Sequence, residues 1–302
     1  MQIFNALLTV LSLPVVGGHP VDPGQYPDTA LVVAPQALCS GTLIAPDVVL
    51  TAGHCIETNP TFVRLNATDY ESPTDDTEDI DIVSATAYPD WQDSYDVGVL
   101  VLAQKAKTTP RKLAPACAIS KGLVDDAHLD VVGFGLTTKS GTGDNTLLNV
   151  GTMTVTDATC ANTPDCQPSV APDGEFVAGG MGVDACFGDS GGPVFLSTPA
   201  GDTLLGVVSR GLAEAADPCG DGGVFVRADK VISWIESTTK RTIHKGSCAG
   251  AADDPTDGAP LATEPPDGGG GCAAGGAPDL AAFAAFPGLA FMLRNARRRR
   301  RG

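Results

Sequence analysis

An all-β fold with one late helix is what this sequence predicts, on three observations. Apolar residues come in short β-branched runs, as at 31–33, 48–51 and 204–208, broken by Gly, Pro, Asn and Asp. A single helical stretch stands near 228–238. The body of the chain, roughly 225 residues, is long enough to bury one proper core.

Composition narrows the function. With 36 acidic against 19 basic residues, the net charge of −17 argues against a nucleic-acid partner and favours solubility and cationic substrates. The 9 cysteines lack CxxC spacing, so disulfides in an oxidising compartment are expected rather than a metal site.

Along the chain, residues 1–14 are apolar and are expected to be a signal peptide. No positive residue precedes the apolar run, and Ser12-Leu13-Pro14 is a poor small-x-small match; a hydrophobic first strand is the alternative. Thr51-Ala52-Gly53-His54-Cys55 sets a histidine among small residues beside a cysteine. Asn66-Ala67-Thr68 is a glycosylation sequon. Asp69, Glu71, Asp75, Asp76, Glu78, Asp79 and Asp81 form a dense acidic loop without EF-hand spacing, read as solvated, with calcium binding as the other reading. Asp96 stands at the mouth of the apolar, strand-like run 97–102.

The most informative stretch is Phe187-Gly188-Asp189-Ser190-Gly191-Gly192-Pro193. A serine hydroxyl is a poor nucleophile unless a base takes its proton and donors await the oxyanion. Flanking glycines leave room for an acyl group and let the backbone amides of Gly188 and Ser190 turn toward one point. A glycine-rich turn alone is the bland alternative, but His, Asp and Ser contexts in this order rarely coincide.

Over roughly residues 15–237 these motifs resemble a trypsin-like serine protease of the chymotrypsin fold. The resemblance implies two packed six-stranded antiparallel β-barrels with a C-terminal helix. It implies Ser190 as nucleophile, His54 as general base and then acid, and Asp96 as the group that orients the imidazole. Gly188 and Ser190 N–H groups would form the oxyanion hole, where losing one donor costs ~3–4 kcal/mol in related sites. Val15-Val16-Gly17-Gly18 resembles the family's mature N-terminus, whose freed amine pairs with the acid before the nucleophile, here Asp189. That amine titrates near pH ~8, so activity should fade in strong alkali.

Further positions follow from the same resemblance. Asp184, six residues before Ser190, implies a pocket floor that pairs with Arg or Lys. Gly211 and Gly223 match pocket-wall glycines, and Ser209 matches the serine that hydrogen-bonds the triad aspartate. The family's tryptophan after that serine is replaced by Arg210. This cation is expected to repel basic substrates, to recruit acidic ones, or to swing toward Asp184 and plug the pocket. Residues 212–218 also look longer than in trypsin.

For the cysteines, the resemblance implies Cys39–Cys55 and Cys186–Cys219. Cys160 and Cys166 lie close enough for a small local loop, and Val177 stands where the family's usual partner would be. Cys117 and Cys248 are left to pair across the C-terminal helix, and Cys272 is odd.

Residues 15–244 make the protease domain, and 245–271 form a Gly-, Pro- and Asp-rich linker. Residues 272–302 join Cys272, an apolar run at 280–293 and an arginine cluster. They resemble the C-terminal sorting segment of myxobacterial surface proteins. This implies membrane association before processing by a sorting protease, with Cys272 as a lipidation site. A plain membrane anchor is the alternative.

The expectation is a secreted or surface-displayed, monomeric serine endopeptidase that cuts proteins or peptides after Arg or Lys and needs no metal or cofactor. A catalytically silent binding homologue and a protease of other preference are the rivals.

Overall fold

The computed structural model describes residues 14–248. The expected signal peptide before Pro14, the linker beyond Cys248, and the sorting segment with Cys272 lie outside the described residues.

Among the described residues, thirteen antiparallel strands carry the fold: β1 (His19–Pro20), β2 (Thr29–Ala34), β3 (Ala37–Ala45), β4 (Val48–Thr51), β5 (Phe62–Leu65), β6 (Glu78–Ala87), β7 (Gly98–Leu102), β8 (His128–Gly133), β9 (Asn149–Asp157), β10 (Glu175–Ala178), β11 (Pro193–Thr198), β12 (Gly201–Gly211) and β13 (Gly223–Arg227). The first barrel closes in the order β2-β3-β4-β7-β6-β5. The second runs β9-β10-β13-β12-β11-β8 and closes through β8–β9, with β1 added on β9 as a short extra strand. Closure leaves no open edge around either barrel, apart from the short added strand β1, which suits short, strongly β-forming runs. The three β-branched runs fall in β2, β4 and β12. The late helical stretch forms a 3₁₀ turn, Ala228–Lys230, and the helix Ile232–Thr239.

The barrels share a core. Phe134, Phe176, Phe195 and Phe225 are fully buried, and Phe176 stacks on Phe225 at 5.3 Å within the second barrel. Across the barrels, Tyr26 stacks on Phe195 at 5.3 Å. Arg111, on the connection between them, forks onto Asp28 with contacts of 2.6 and 2.7 Å and donates to the Asp202 carbonyl at 3.0 Å. Its guanidinium also sits 4.6 Å over the Phe195 ring. At the other end Arg241, just beyond the helix, forks onto Asp47 beside β4.

Disulfides fasten the loops. Cys39–Cys55, Cys160–Cys166 and Cys186–Cys219 are all joined, as expected. Cys117 pairs with Cys248, but Cys117 lies on the helix Ala116–Gly122, so the bridge holds the chain after the C-terminal helix to that earlier helix. Among the described residues no helix is long and apolar enough to cross a membrane.

Asp28 is nearly inaccessible, so losing Arg111 would leave a buried carboxylate without its cation. Arg111→Met should therefore lower stability by about 3 kcal/mol, read as the urea midpoint. Arg64 pairs instead with the half-exposed Asp79, which water can solvate, and Arg64→Met should cost less than about 1 kcal/mol by the same measurement.

Candidate active site

His54 sits on the one-turn helix Gly53–Ile56 that follows β4, and Cys39–Cys55 ties that turn to β3. Gly53 permits the approach of Asp96: a Cβ there would lie 3.1 Å from Asp96 Oδ1 and 2.9 Å from Trp91. Asp96 ends the loop before β7 and is buried. Its Oδ1 accepts the His54 backbone N–H at 2.9 Å, and its Oδ2 lies 2.8 Å from His54 Nδ1. The Ser209 hydroxyl donates to the same Oδ2 at 2.7 Å. Burial pushes the Asp96 carboxyl up, but hydrogen bonds from the His54 ring and backbone and from Ser209 outweigh it and hold the carboxyl below its ordinary range. An ionised carboxylate only accepts, so in the neutral imidazole Nδ1 carries the proton and Nε2 keeps its lone pair.

Ser190 lies on the tight turn between Cys186 and β11. Asp189 N–H donates to the Cys186 carbonyl at 3.0 Å and Gly192 N–H to the Asp189 carbonyl at 2.7 Å. From the first barrel, Ser40 N–H donates to the Ser190 carbonyl at 2.8 Å, and the Ser40 hydroxyl donates to the Gly188 carbonyl at 2.9 Å. Gly188 has φ 104°, a conformation that a side chain would strain. Among the described residues neither the Gly188 nor the Ser190 amide donates a hydrogen bond to the protein. Both remain free for a ligand oxygen.

Asp189 is wholly enclosed. Its carboxylate accepts the amides of Gly135 and Cys186, each at 2.8 Å, yet burial pushes it up from 3.8 to about 7. Val15 and Val16 are buried nearby, and the Val16 carbonyl accepts the Asp184 amide at 3.0 Å. Val15 has φ 39°, an unfavourable backbone for a β-branched residue. In the intact chain the Val15 nitrogen is in a peptide bond to Pro14, so an ion pair of a freed Val15 amine with Asp189 would belong to the cleaved form.

His54, Asp96 and Ser190 line one cavity of about 420 Å³, and so do Asp184, Ser209, Gly211 and Gly223. Asp184 is buried: Oδ2 accepts the Gly220 and Gly222 amides at 2.9 and 2.7 Å, and Oδ1 accepts the Ala185 amide at 2.8 Å. Burial raises its pKa despite those amides, and Asp221 adds to the rise. No cation faces it within salt-bridge distance among the described residues. A Cβ on Gly211 would meet only the Pro218 carbonyl, at 3.9 Å, so that wall is open by virtue of the missing side chain.

Arg210 lines the same cavity, but its guanidinium is paired with groups other than Asp184. It forks onto the fully buried Glu175 at 2.8 and 3.1 Å and donates to the Asp165 carbonyl at 2.7 Å. The pairing sets the Glu175 charge against that of Arg210. Glu175, Ser40 and Trp91 escaped the sequence reading. Only Glu175 left a signal there, as one acid heading the apolar run Phe176-Val177-Ala178.

The acidic stretch is not all loop: Glu78, Asp79 and Asp81 stand on β6, and several of its carboxylates take protein donors. Asp79 takes the Arg64 fork, Glu78 accepts the amides of Lys107 and Thr108, and Asp69 accepts the Glu71 amide. The groupings with metal-ligand proximity among the described residues are Cys39–His54–Cys55 and Cys160–Cys166–Glu175, and their sulfurs are committed to disulfides.

Known proteins resemble this chain in sequence. The chain is 30% identical over 225 residues to Trypsin of Saccharopolyspora erythraea, covering 70% of this chain and 92% of that one. It is 29% identical over 252 residues to Serine protease Hayan of Drosophila melanogaster, covering 75% of this chain but 39% of that longer protein. Glucanase inhibitor protein 1 of Phytophthora infestans is 33% identical over 216 residues, covering 68% of this chain and 79% of its own. The family model described as Trypsin matches residues 15–235, and the chain belongs to the trypsin family of serine proteases.

Proposed function

We propose that this chain is an endopeptidase that hydrolyses peptide bonds after Arg or Lys. The observation that carries the reading is the 2.8 Å contact between His54 Nδ1 and Asp96 Oδ2, set on a cavity that Ser190 and Asp184 also line. Ser190 Oγ attacks the substrate carbonyl while His54 Nε2 takes its proton, and the amides of Gly188 and Ser190 stabilise the oxyanion. The C–N bond breaks as His54 returns that proton to the leaving amine. Water then attacks the acyl-Ser190, again with His54 as base, and releases the acid and free Ser190. Asp96 orients the imidazole and balances its charge, with Ser209 holding the carboxylate.

Asp184 is the specificity group of this reading. Its carboxylate is supported by amides and lacks a cation, a deficiency that a guanidinium or ammonium of the substrate would fill. The Val15 amine is the activation group. Cleavage before Val15 would remove the strained φ and bring a cation to Asp189. The 4 disulfides among the described residues fit an exported protein. Surface display through Cys272 and the arginine cluster is part of the same proposal. A second reading comes from the relatives named as glucanase inhibitors: the cleft as a protein-binding surface without turnover. Retention of His54, Asp96 and Ser190 favours the enzyme.

Paired Arg, Lys, Phe and Ala reporter peptides test the reading, on protein with a verified Val15 amine. Cleavage should be confined to Arg and Lys and should fall by about 10⁴-fold or more in Ser190→Ala. Silence of the folded wild type on every peptide would favour the binding reading. Asp184→Asn should cut kcat/KM on Arg peptides by about 100-fold while sparing the weak cleavage of Ala peptides.

A third expectation concerns pH. The Asp189 carboxyl of the uncleaved chain is raised to about 7, so the folded state holds its proton more tightly than the unfolded state. Its contribution to stability is full below the ordinary 3.8 and is lost as pH rises through 7. Urea midpoints of the uncleaved chain should drop between about pH 4.5 and about pH 7.5. Asp189→Asn should flatten that drop, and the form with a free Val15 amine should lack it.

A further inference from the structure

Ser209 and Arg210 occupy an irregular point of β12. Val208 pairs with Phe225 and Arg210 with Val224, so Ser209 is the extra residue of a bulge. A bulge re-aims side chains that would otherwise alternate between the two faces. Here it lets Ser209 reach Asp96 while the long Arg210 arm returns to the same hydroxyl: Arg210 Nη1 donates to Ser209 Oγ at 3.0 Å. The guanidinium is gripped from behind by Glu175, itself fully buried, and by the Asp165 carbonyl, beside the Cys160–Cys166 loop. Gln167 N–H adds a 2.7 Å hydrogen bond to Glu175 Oε2 and completes the acid's surroundings.

The chemistry of this chain of contacts has one direction. A guanidinium donates and never accepts, so the lone pair of Ser209 Oγ must face Arg210. Its only proton then points to Asp96 Oδ2. The carboxylate accepts that hydrogen bond and Arg210 occupies an acceptor lone pair, so the two partners hold Ser209 Oγ from both sides.

We infer that Arg210 is a positioning residue for the His54–Asp96 pair: anchored by Glu175, it holds the Ser209 hydroxyl in place against Asp96 and thereby supports the seat of the imidazole. The inference rests on the proposed protease reaction for its kinetic test, though not for its spectroscopic one. It assigns to this cavity-lining cation a role toward the catalytic groups through Ser209, in addition to any contact with substrate.

The test uses a neutral exchange, Arg210→Met with Glu175→Gln, so that no buried charge is orphaned. Circular dichroism and the urea midpoint check that it folds. On an Arg reporter peptide, kcat should fall about tenfold and KM should stay within about twofold. In a Ser209→Ala background the same exchange should produce no further fall, because the hydroxyl it acts through is gone. An equal fall in both backgrounds, or a rise in KM with kcat unchanged, would overturn the inference and leave Arg210 with its cavity-lining role alone. If the folded wild type hydrolyses nothing, the protease reading fails separately. The low-field Nδ1–H proton resonance of His54 then decides: a shift in the exchange variant that vanishes in the Ser209→Ala background supports the coupling, and an unmoved resonance sinks it.

Discussion

The carboxylate of Asp96 is the joint on which this molecule turns. It takes two hydrogen bonds from His54 in the first barrel and one from Ser209 in the second. A buried carboxylate is tolerable only when donors replace its lost water, and here those donors come from both barrels. The packing of one barrel against the other is therefore what stabilises the charge, and the charge in turn fixes how the imidazole faces the cleft. The Tyr26–Phe195 stack and the Arg111 clamp hold the interface that this depends on.

Four buried acids surround the cleft, and each is stabilised differently. Asp96 has an imidazole and a hydroxyl. Glu175 has a guanidinium and an amide. Asp184 and Asp189 have backbone amides and no cation, and burial raises both. The two acids still lacking a cation are those for which the proposed mechanism supplies one from outside, a substrate side chain for Asp184 and a newly freed amine for Asp189. The two already satisfied belong to the fixed scaffold behind the histidine.

Much of the site was legible in the order of the residues. A histidine beside a cysteine, an aspartate before an apolar strand and a serine among glycines are local patterns, because each side chain needs a particular small neighbour next to it in the chain. Gly53 clears the way for Asp96, and Gly188 adopts a backbone that a side chain would strain. The strands were legible for the same reason: β-branched runs bounded by turn residues report their own conformation.

What the sequence determined by itself was the set of chemical groups and their order, along with the short extended runs that carry them. It also left the plugging of the pocket by Arg210 open as an alternative. Only the tertiary structure decided which groups that guanidinium meets, because Glu175 and Asp165 lie 35 and 45 residues away, and Glu175 on β10 reaches Arg210 on β12 across β13. The Cys117–Cys248 bridge, spanning 131 residues, was likewise only a remainder in the sequence until folding brought its ends together. Local conformation is written in neighbouring residues, whereas the partner of a buried charge is chosen by whatever the fold packs against it.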